Sequence, residues 1–346
     1  MTSPSSIRDP ATALFSFADL RPTEVLAASR RIHDLVRRTP LVRSVALSEL
    51  AGGDVYLKLE NEQITGSFKL RGAMNSIASL PPEVRARGIV ASSAGNHGLG
   101  IAYAARYFNT PATIFVPRTA AQVKRDGIAA LGATLDSTQP HYDAAMAAAL
   151  AFAEEHGATF INPCFGNALI AGQGTVALEI LSELPDMASL VVNVGGGGLL
   201  GGCASLVRPL SPNARIIGAQ SVNTAAMARS IAQGHVVEID DVATIAEGLA
   251  GQIDEAGLEI GQRSLDEIVT VSEEQIAETI EWLWRSHGAR VEGAGAVATA
   301  SVLHRLVSFL PTPAAIIVSG GNIDAERFEQ ILAQSAEGGA RSVNER

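Results

Sequence analysis

The stretch GIVASSAGNHGLGIAYAARYFNTPATIFVP (88–117) decides the architecture. It opens on a short apolar strand, GIVASS, continues through a helix pattern from Gly95 to about Phe108, and closes on a second apolar strand, ATIFVP (112–117). The alternation runs on through a helix from about Ala120 to Leu131 and the strand ATLDS (133–137). An alanine-rich helix from about Asp143 to Glu155 and the strand ATFIN (158–162) complete it. Short apolar strands alternating with helices imply a parallel sheet covered on both faces. A second series follows: SLVVNV (189–194), a helix from about Leu199, RIIGAQ (215–220) and DEIVTVS (266–272). A helix begins after Ser272, where Glu274 and Gln275 supply a box-like capping partner. A helix from about Gly295 to Phe309 then precedes the strand AAIIVS (314–319). The fold class is therefore α/β, with two open parallel-sheet domains. A small α/β domain is expected at 88–162, and a larger discontinuous one at 1–87 with 163–346.

The 346 residues are 47% hydrophobic and only 18% charged, enough for a large core and suggestive of buried subunit interfaces. A net charge of −10 disfavours nucleic acid and anionic membrane surfaces as partners. Cys164 and Cys203 lack a paired metal-ligand spacing and do not make a secreted disulfide scaffold, so a reducing, cytoplasmic location is expected, with no metal. No run reaches the roughly 18 apolar residues of a membrane span. The N-terminus lacks the basic-then-apolar pattern of a signal peptide. Residues 1–12, rich in Ser and Pro, read as a disordered tail.

Three loops at strand ends carry the chemistry. Gly195, Gly196, Gly197 and Gly198, followed by Leu199, leave a strand and open a helix. Glycine lets backbone N–H groups approach a ligand closely, and a helix start carries partial positive charge, so the loop suits a phosphate. It has no Walker lysine, and no acid stands where a dinucleotide site would want one. In TGSFKLRG (65–72), Lys69 is a candidate Schiff-base residue if burial keeps its amine neutral. On local pattern alone, an ordinary surface lysine opening a helix is the better reading. In SSAGNHG (92–98), hydroxyls and helix-start amides suit a carboxylate, while N-capping by Ser93 explains the same residues. His97 is a possible general base, or merely structural.

Together with SGGN (319–322), RTPL (38–41), YLKLEN (56–61) and EGAGA (292–296), these stretches resemble the serine/threonine dehydratase family. That family is a branch of the fold type II pyridoxal-phosphate enzymes, built like the tryptophan synthase β subunit. The resemblance spans about residues 25–325, in order. It implies pyridoxal 5'-phosphate as cofactor, a small amino acid as substrate, and a homodimer or higher homo-oligomer. Lys69 resembles the lysine that forms the imine with the cofactor, and Phe68 the residue packed against its ring. Asn96 is similar to the residue that hydrogen-bonds the cofactor's 3′-oxygen. Ser93, Ala94, Asn96 and His97 lie in the loop that grips the substrate carboxylate. Gly195 to Leu199 resemble the phosphate cup, and Ser319 the residue facing the pyridine nitrogen. A serine there cannot keep that nitrogen protonated as an aspartate would, which favours prompt loss of a β-leaving group.

The implied function is a dehydratase, or ammonia-lyase, converting L-threonine or L-serine to a 2-oxo acid and ammonia. Relatives that racemise serine carry a second acid/base where this chain has Ala94, and several hold a divalent cation through a Glu where it has Gln220. The family's EP is Glu292-Gly293 here, and the long regulatory C-terminal extension of some threonine dehydratases is not expected. Alternatives are a dehydratase of 3-hydroxyaspartate, with Arg71 or His97 receiving the second carboxylate, or of an ectoine-derived amino acid. A serine racemase and a non-catalytic pyridoxal-phosphate binder stand further off.

Overall fold

The computed structural model describes residues 20–240 and 242–333; the stretch 1–12 lies outside them. The chain forms two compact units, residues 1–36 with 69–175, and residues 37–68 with 176–346.

The first unit is built on a four-stranded parallel sheet, β3 (Ile89–Ser92), β4 (Ala112–Pro117), β5 (Thr134–Gln139) and β6 (Thr159–Phe160), in the order β5-β4-β3-β6. Its helices are α1 (Pro22–Ile32), α3 (Lys69–Ala78), α4 (Pro82–Arg85), α5 (Asn96–Tyr107), α6 (Gln122–Ala130), α7 (Tyr142–His156) and the first part of α8 (Asn167–Glu183). Successive strand residues point to opposite faces. Ile89 and Ala91 accordingly share one core with Leu70, Met74 and Ile101, while Val90 and Phe115 share the other with Ala145, Ala149 and Ala153 of α7. The unit reaches beyond the expected 88–162 because Ile32 of α1, four apolar residues of α3 and Leu169 of α8 complete the first of these cores. Periodicity locates such helices but does not say which core they enter.

The second unit holds a six-stranded sheet of order β1-β2-β10-β7-β8-β9: β1 (Leu41–Arg43), β2 (Val55–Leu59), β7 (Ser189–Asn193), β8 (Arg215–Ser221), β9 (Glu267–Val271) and β10 (Ala314–Val318). Every pairing is parallel except β1 with β2. Its helices include α2 (Val45–Ala51), α9 (Gly198–Leu210), α10 (Ala226–Gln233), α11 (Glu255–Ser264), α12 (Glu273–His287) and α13 (Gly293–Leu303). Small side chains let α13 bury every residue from Gly293 to Val302. Its Ala296, Val297 and Ala300 share a core with Val191, Ile217 and Ile316 of the sheet.

Two local signals in the sequence decide helix ends. Ser272 caps α12, with Gln275 reciprocating in a capping box. The helix expected to reach Phe309 instead stops at Leu303. Arg305 adopts φ 56°, Arg305 N–H bonds Val302 O at 3.0 Å, and Leu306 N–H bonds Ser301 O at 2.9 Å. This is a Schellman closure, which ends a helix by satisfying its last carbonyls. Arginine in place of the usual glycine concealed it.

Candidate active site

In the second unit the glycine run follows β7 directly, and Gly197, with φ 101°, stands at the N-cap of the 13-residue helix α9. Any other residue there would be strained. A Cβ on Gly195 would lie 3.3 Å from Leu249 Cα. The loop is thus a bend that only bare backbone fits, ending on helix-start amides that lack intrahelical partners. These are the donors an anion requires, so the loop fits a phosphate group.

Ser319 follows β10, the neighbour of β7 in the sheet, so both loops emerge at carboxyl ends of adjacent parallel strands, where α/β sheets place ligands. Ser319 is 4% exposed, and its Oγ lies 3.4 Å from Ala294 O, at the limit of a hydrogen bond. So long a bond holds the hydroxyl only weakly. Segment 65–68 is strapped onto this end. Phe68 N–H donates to Ser319 O at 3.1 Å, Gly321 N–H to Gly66 O at 2.9 Å, and Asn322 Nδ2 to Thr65 O at 2.7 Å. A Cβ on Gly66 would sit 2.3 Å from Asn322 Oδ1. Sequence reading singled out Ser319 but not this strap.

It also missed Asn193, a polar residue in the last position of β7. Its Oδ1 accepts from Ala298 N–H and its Nδ2 donates to Ile317 O, both at 2.7 Å. A buried carboxamide with both its oxygen and its nitrogen engaged thereby ties the strand before the glycine loop to α13 and β10. An asparagine inside VVNV was the available signal.

In the first unit Lys69 is the first residue of α3, and its Nζ donates to Pro163 O at 2.7 Å. Asn162 shapes that turn by accepting from Cys164 N–H at 2.8 Å and Phe165 N–H at 2.9 Å. A backbone carbonyl has no residue-type signature, so Pro163 was invisible in the sequence. His97 lies in the first turn of α5, 2% exposed, 3.0 Å from Ile161 O through Nε2. A carbonyl only accepts, so Nε2 carries the proton and Nδ1 is bare, buried and unpartnered among the described residues. Burial first, and then the charge of Lys69, push His97 down to about 3. A histidine so reluctant to protonate is a poor general base at neutral pH.

Ser93 and Ala94, in the loop between β3 and α5, and Asn96, the first residue of α5, are half-buried. The cap position belongs to Gly95, and Ser93 Oγ accepts the Gly95 N–H at 3.2 Å, so Ser93 is not the N-cap of α5. Arg71 is fully buried, with a guanidinium nitrogen 3.3 Å from Thr175 Oγ1, and so is not exposed to receive a second substrate carboxylate. Among the described residues no group of three His, Cys, Asp or Glu is arranged to hold a metal. Gln220 spends its carboxamide on its own loop, accepting from Ala228 N–H at 2.9 Å and donating to Thr224 O at 3.3 Å. The structure thus gathers Lys69 and His97 in one unit, and the glycine loop, Ser319 and Phe68 in the other. Phe68 and Lys69 are consecutive in the chain.

Residues 32–320 match the family model described as pyridoxal-phosphate dependent enzyme. An L-threonine ammonia-lyase of Thermotoga maritima is 42% identical over 310 residues, 89% of this chain and 77% of that protein. Maize serine racemase has a similar structure, with a TM-score of 0.86 at 30% identity, covering 92% of this chain and 99% of that one. Threonine deaminase isoform 2 from Solanum lycopersicum follows with a TM-score of 0.83 at 32% identity, covering 89% and 85%. With a bend built for phosphate and a lysine at a helix start, and with the family model spanning most of its length, this chain belongs to the pyridoxal-phosphate dependent enzymes.

Proposed function

We propose that the protein is an ammonia-lyase, or dehydratase, that converts L-threonine, L-serine or both to a 2-oxo acid and ammonia. The observation that carries the reading is its 42% identity to an L-threonine ammonia-lyase over 89% of the chain. The glycine loop and Ser319 stand at carboxyl ends of strands, and Lys69 at a helix start.

Bound pyridoxal phosphate supplies an aldehyde that captures the substrate amine and an electron sink that acidifies the α-carbon. The chain's residues do the rest. Amides of Gly195 to Leu199 would hold the phosphate. Phe68 would pack on the ring, Asn96 would bond its 3′-oxygen, and the Ser319 hydroxyl would serve its nitrogen as a neutral partner. The loop Ser93, Ala94, Asn96 and His97 receives the substrate carboxylate through helix-start amides and the Ser93 hydroxyl. Lys69 Nζ would hold the cofactor and would serve as the base for the substrate's α-proton. Ala94 has no proton to return from the opposite face, which favours elimination over racemisation. The buried Arg71 and neutral His97 disfavour a second substrate carboxylate, and with it 3-hydroxyaspartate.

The enzyme works in the cytoplasm, as a homodimer or larger homo-oligomer, on a small amino acid, without nucleic acid or membrane as partner. Its acidic balance, sparse charge and two free cysteines support this. No described helix is long and apolar enough to cross a membrane.

The test is a panel of L- and D-3-hydroxy amino acids given to purified holoenzyme, with 2-oxo acid release as the readout. Oxo acid should come from L-threonine or L-serine. Yellow protein that releases none from any of them is a binder, and the reading fails.

A further inference from the structure

The helix that begins with Lys69 meets α8 at backbone contact. A Cβ on Gly172 would lie 2.6 Å from Arg71 O and 2.7 Å from Gly72 Cα, and one on Gly72 would lie 2.3 Å from Gln173 Nε2. On another side Gly100 of α5 is less crowded: a Cβ there would stand 3.4 Å from Leu70 N and Cα, in ordinary contact. Besides the contact of Arg71 with Thr175, side-chain bonds of Asn75 and Gln173 tie α3 to α8. Asn75 Nδ2 donates to Ala168 O at 2.6 Å, and Gln173 Oε1 accepts the Gly72 N–H at 3.2 Å. The second falls one helical turn from Lys69, on the same face.

Gln173 is 1% exposed, and its Nε2 has no partner among the described residues. A buried donor left unmet is unfavourable, so as a packing element glutamine is a poor choice here. What it does supply is one acceptor aimed at the first turn of α3. We propose that Gln173 is a positioning residue for Lys69: by holding the Gly72 N–H it fixes that turn and so the direction in which the lysine leaves the helix. Geometry of this kind matters because small displacements of a reacting group cost large factors in rate. The proposal rests on the reading of Lys69 as the cofactor-bearing lysine.

Three variants of the holoenzyme test it. Gln173→Met removes the acceptor at similar volume, Gln173→Glu keeps an acceptor beside a helix N-terminus, and Asn75→Leu cuts the tie to Ala168. Gln173→Met should lose about ten- to a hundredfold in kcat with KM within about threefold, and should move the pH midpoint of the cofactor's visible absorption. Gln173→Glu should recover kcat to within about threefold, and Asn75→Leu should lower Tm while leaving kcat and the titration within about twofold. The proposal is overturned if Gln173→Met turns over and titrates as wild type, or if kcat simply tracks Tm across the variants. Where Gln173→Met does not fold, a folded Gln173→Glu slower than wild type by more than about tenfold overturns it as well. Borohydride reduction followed by peptide mass mapping separates the two levels. An adduct away from Lys69 ends the underlying reading, whereas an adduct on Lys69 in a fully active Gln173→Met ends only this one.

Discussion

At the end of β7 the chain offers its ligand nothing but backbone, four glycines running into a helix start. At the start of α3 it offers one long side chain, Lys69, on a helix crossed closely by glycines of α5 and α8. The first arrangement suits a task that never changes, neutralising a phosphate, for which fixed dipoles need no moving part. The second suits a group that must make and break a bond and carry a proton, so the helix is held and only the side chain is left to move. On the proposed reading, function divides between fixed main chain and one side-chain amine.

That contrast breaks most visibly at Lys69. Replacing it with alanine should lower oxo-acid release by at least about 10⁴-fold, because no other group supplies both the covalent link and the base. Retained steady-state turnover would remove Lys69 from the chemistry.

The same unit should be acid-sensitive through a buried histidine. His97 is held down to about 3 from an ordinary 6.5, first by burial and then by Lys69. The unfolded chain therefore binds a proton that the folded chain refuses between those values. Stability contributed by neutral His97 is complete above about pH 6.5 and is lost as pH falls toward 3, by up to about 5 kcal/mol. Urea unfolding of wild type and His97→Gln across that window should diverge on the acid side; parallel curves refute the buried, neutral histidine.

Gly197→Ala probes the backbone half. An alanine forced to φ 101° costs about 1–3 kcal/mol, so inorganic phosphate and cofactor should both bind about ten- to a hundredfold more weakly. Fluorescence titration reads this directly, and an unchanged Kd for both ligands would show that the loop is no cradle. The smallest effect is expected from Ala94→Ser. It should leave oxo-acid kcat within about threefold, while a hydroxyl on the opposite face lets slow D-serine formation from L-serine begin. Chiral chromatography detects the product, and its complete absence shows that position 94 does not gate racemisation.

The glycine loop was legible from the residues themselves, since consecutive glycines between a strand and a helix have few purposes. Lys69 was not, because a lysine opening a helix is commonplace; only the ordered resemblance singled it out. One signal lay unused. The chain contains three lysines, and Lys58 is buried in an ion pair with Glu179 at 2.6 Å, which leaves few candidates for a reactive amine. Gln173, Asn193 and the Pro163 carbonyl were beyond local reading, since each acts through a partner distant in sequence.

By itself the sequence determined the α/β alternation, the strands and helices of residues 88–160, the capping box at Ser272 and the glycine bend that opens α9, for these depend on neighbours a few residues apart. Only the tertiary structure decided which helices join which core, where α13 stops, and that His97 stays neutral. It also decided what holds the first turn of α3. Those outcomes follow from burial and from hydrogen bonds between segments as far apart as Gly72 and Gln173, and such contacts exist only once the chain has closed on itself.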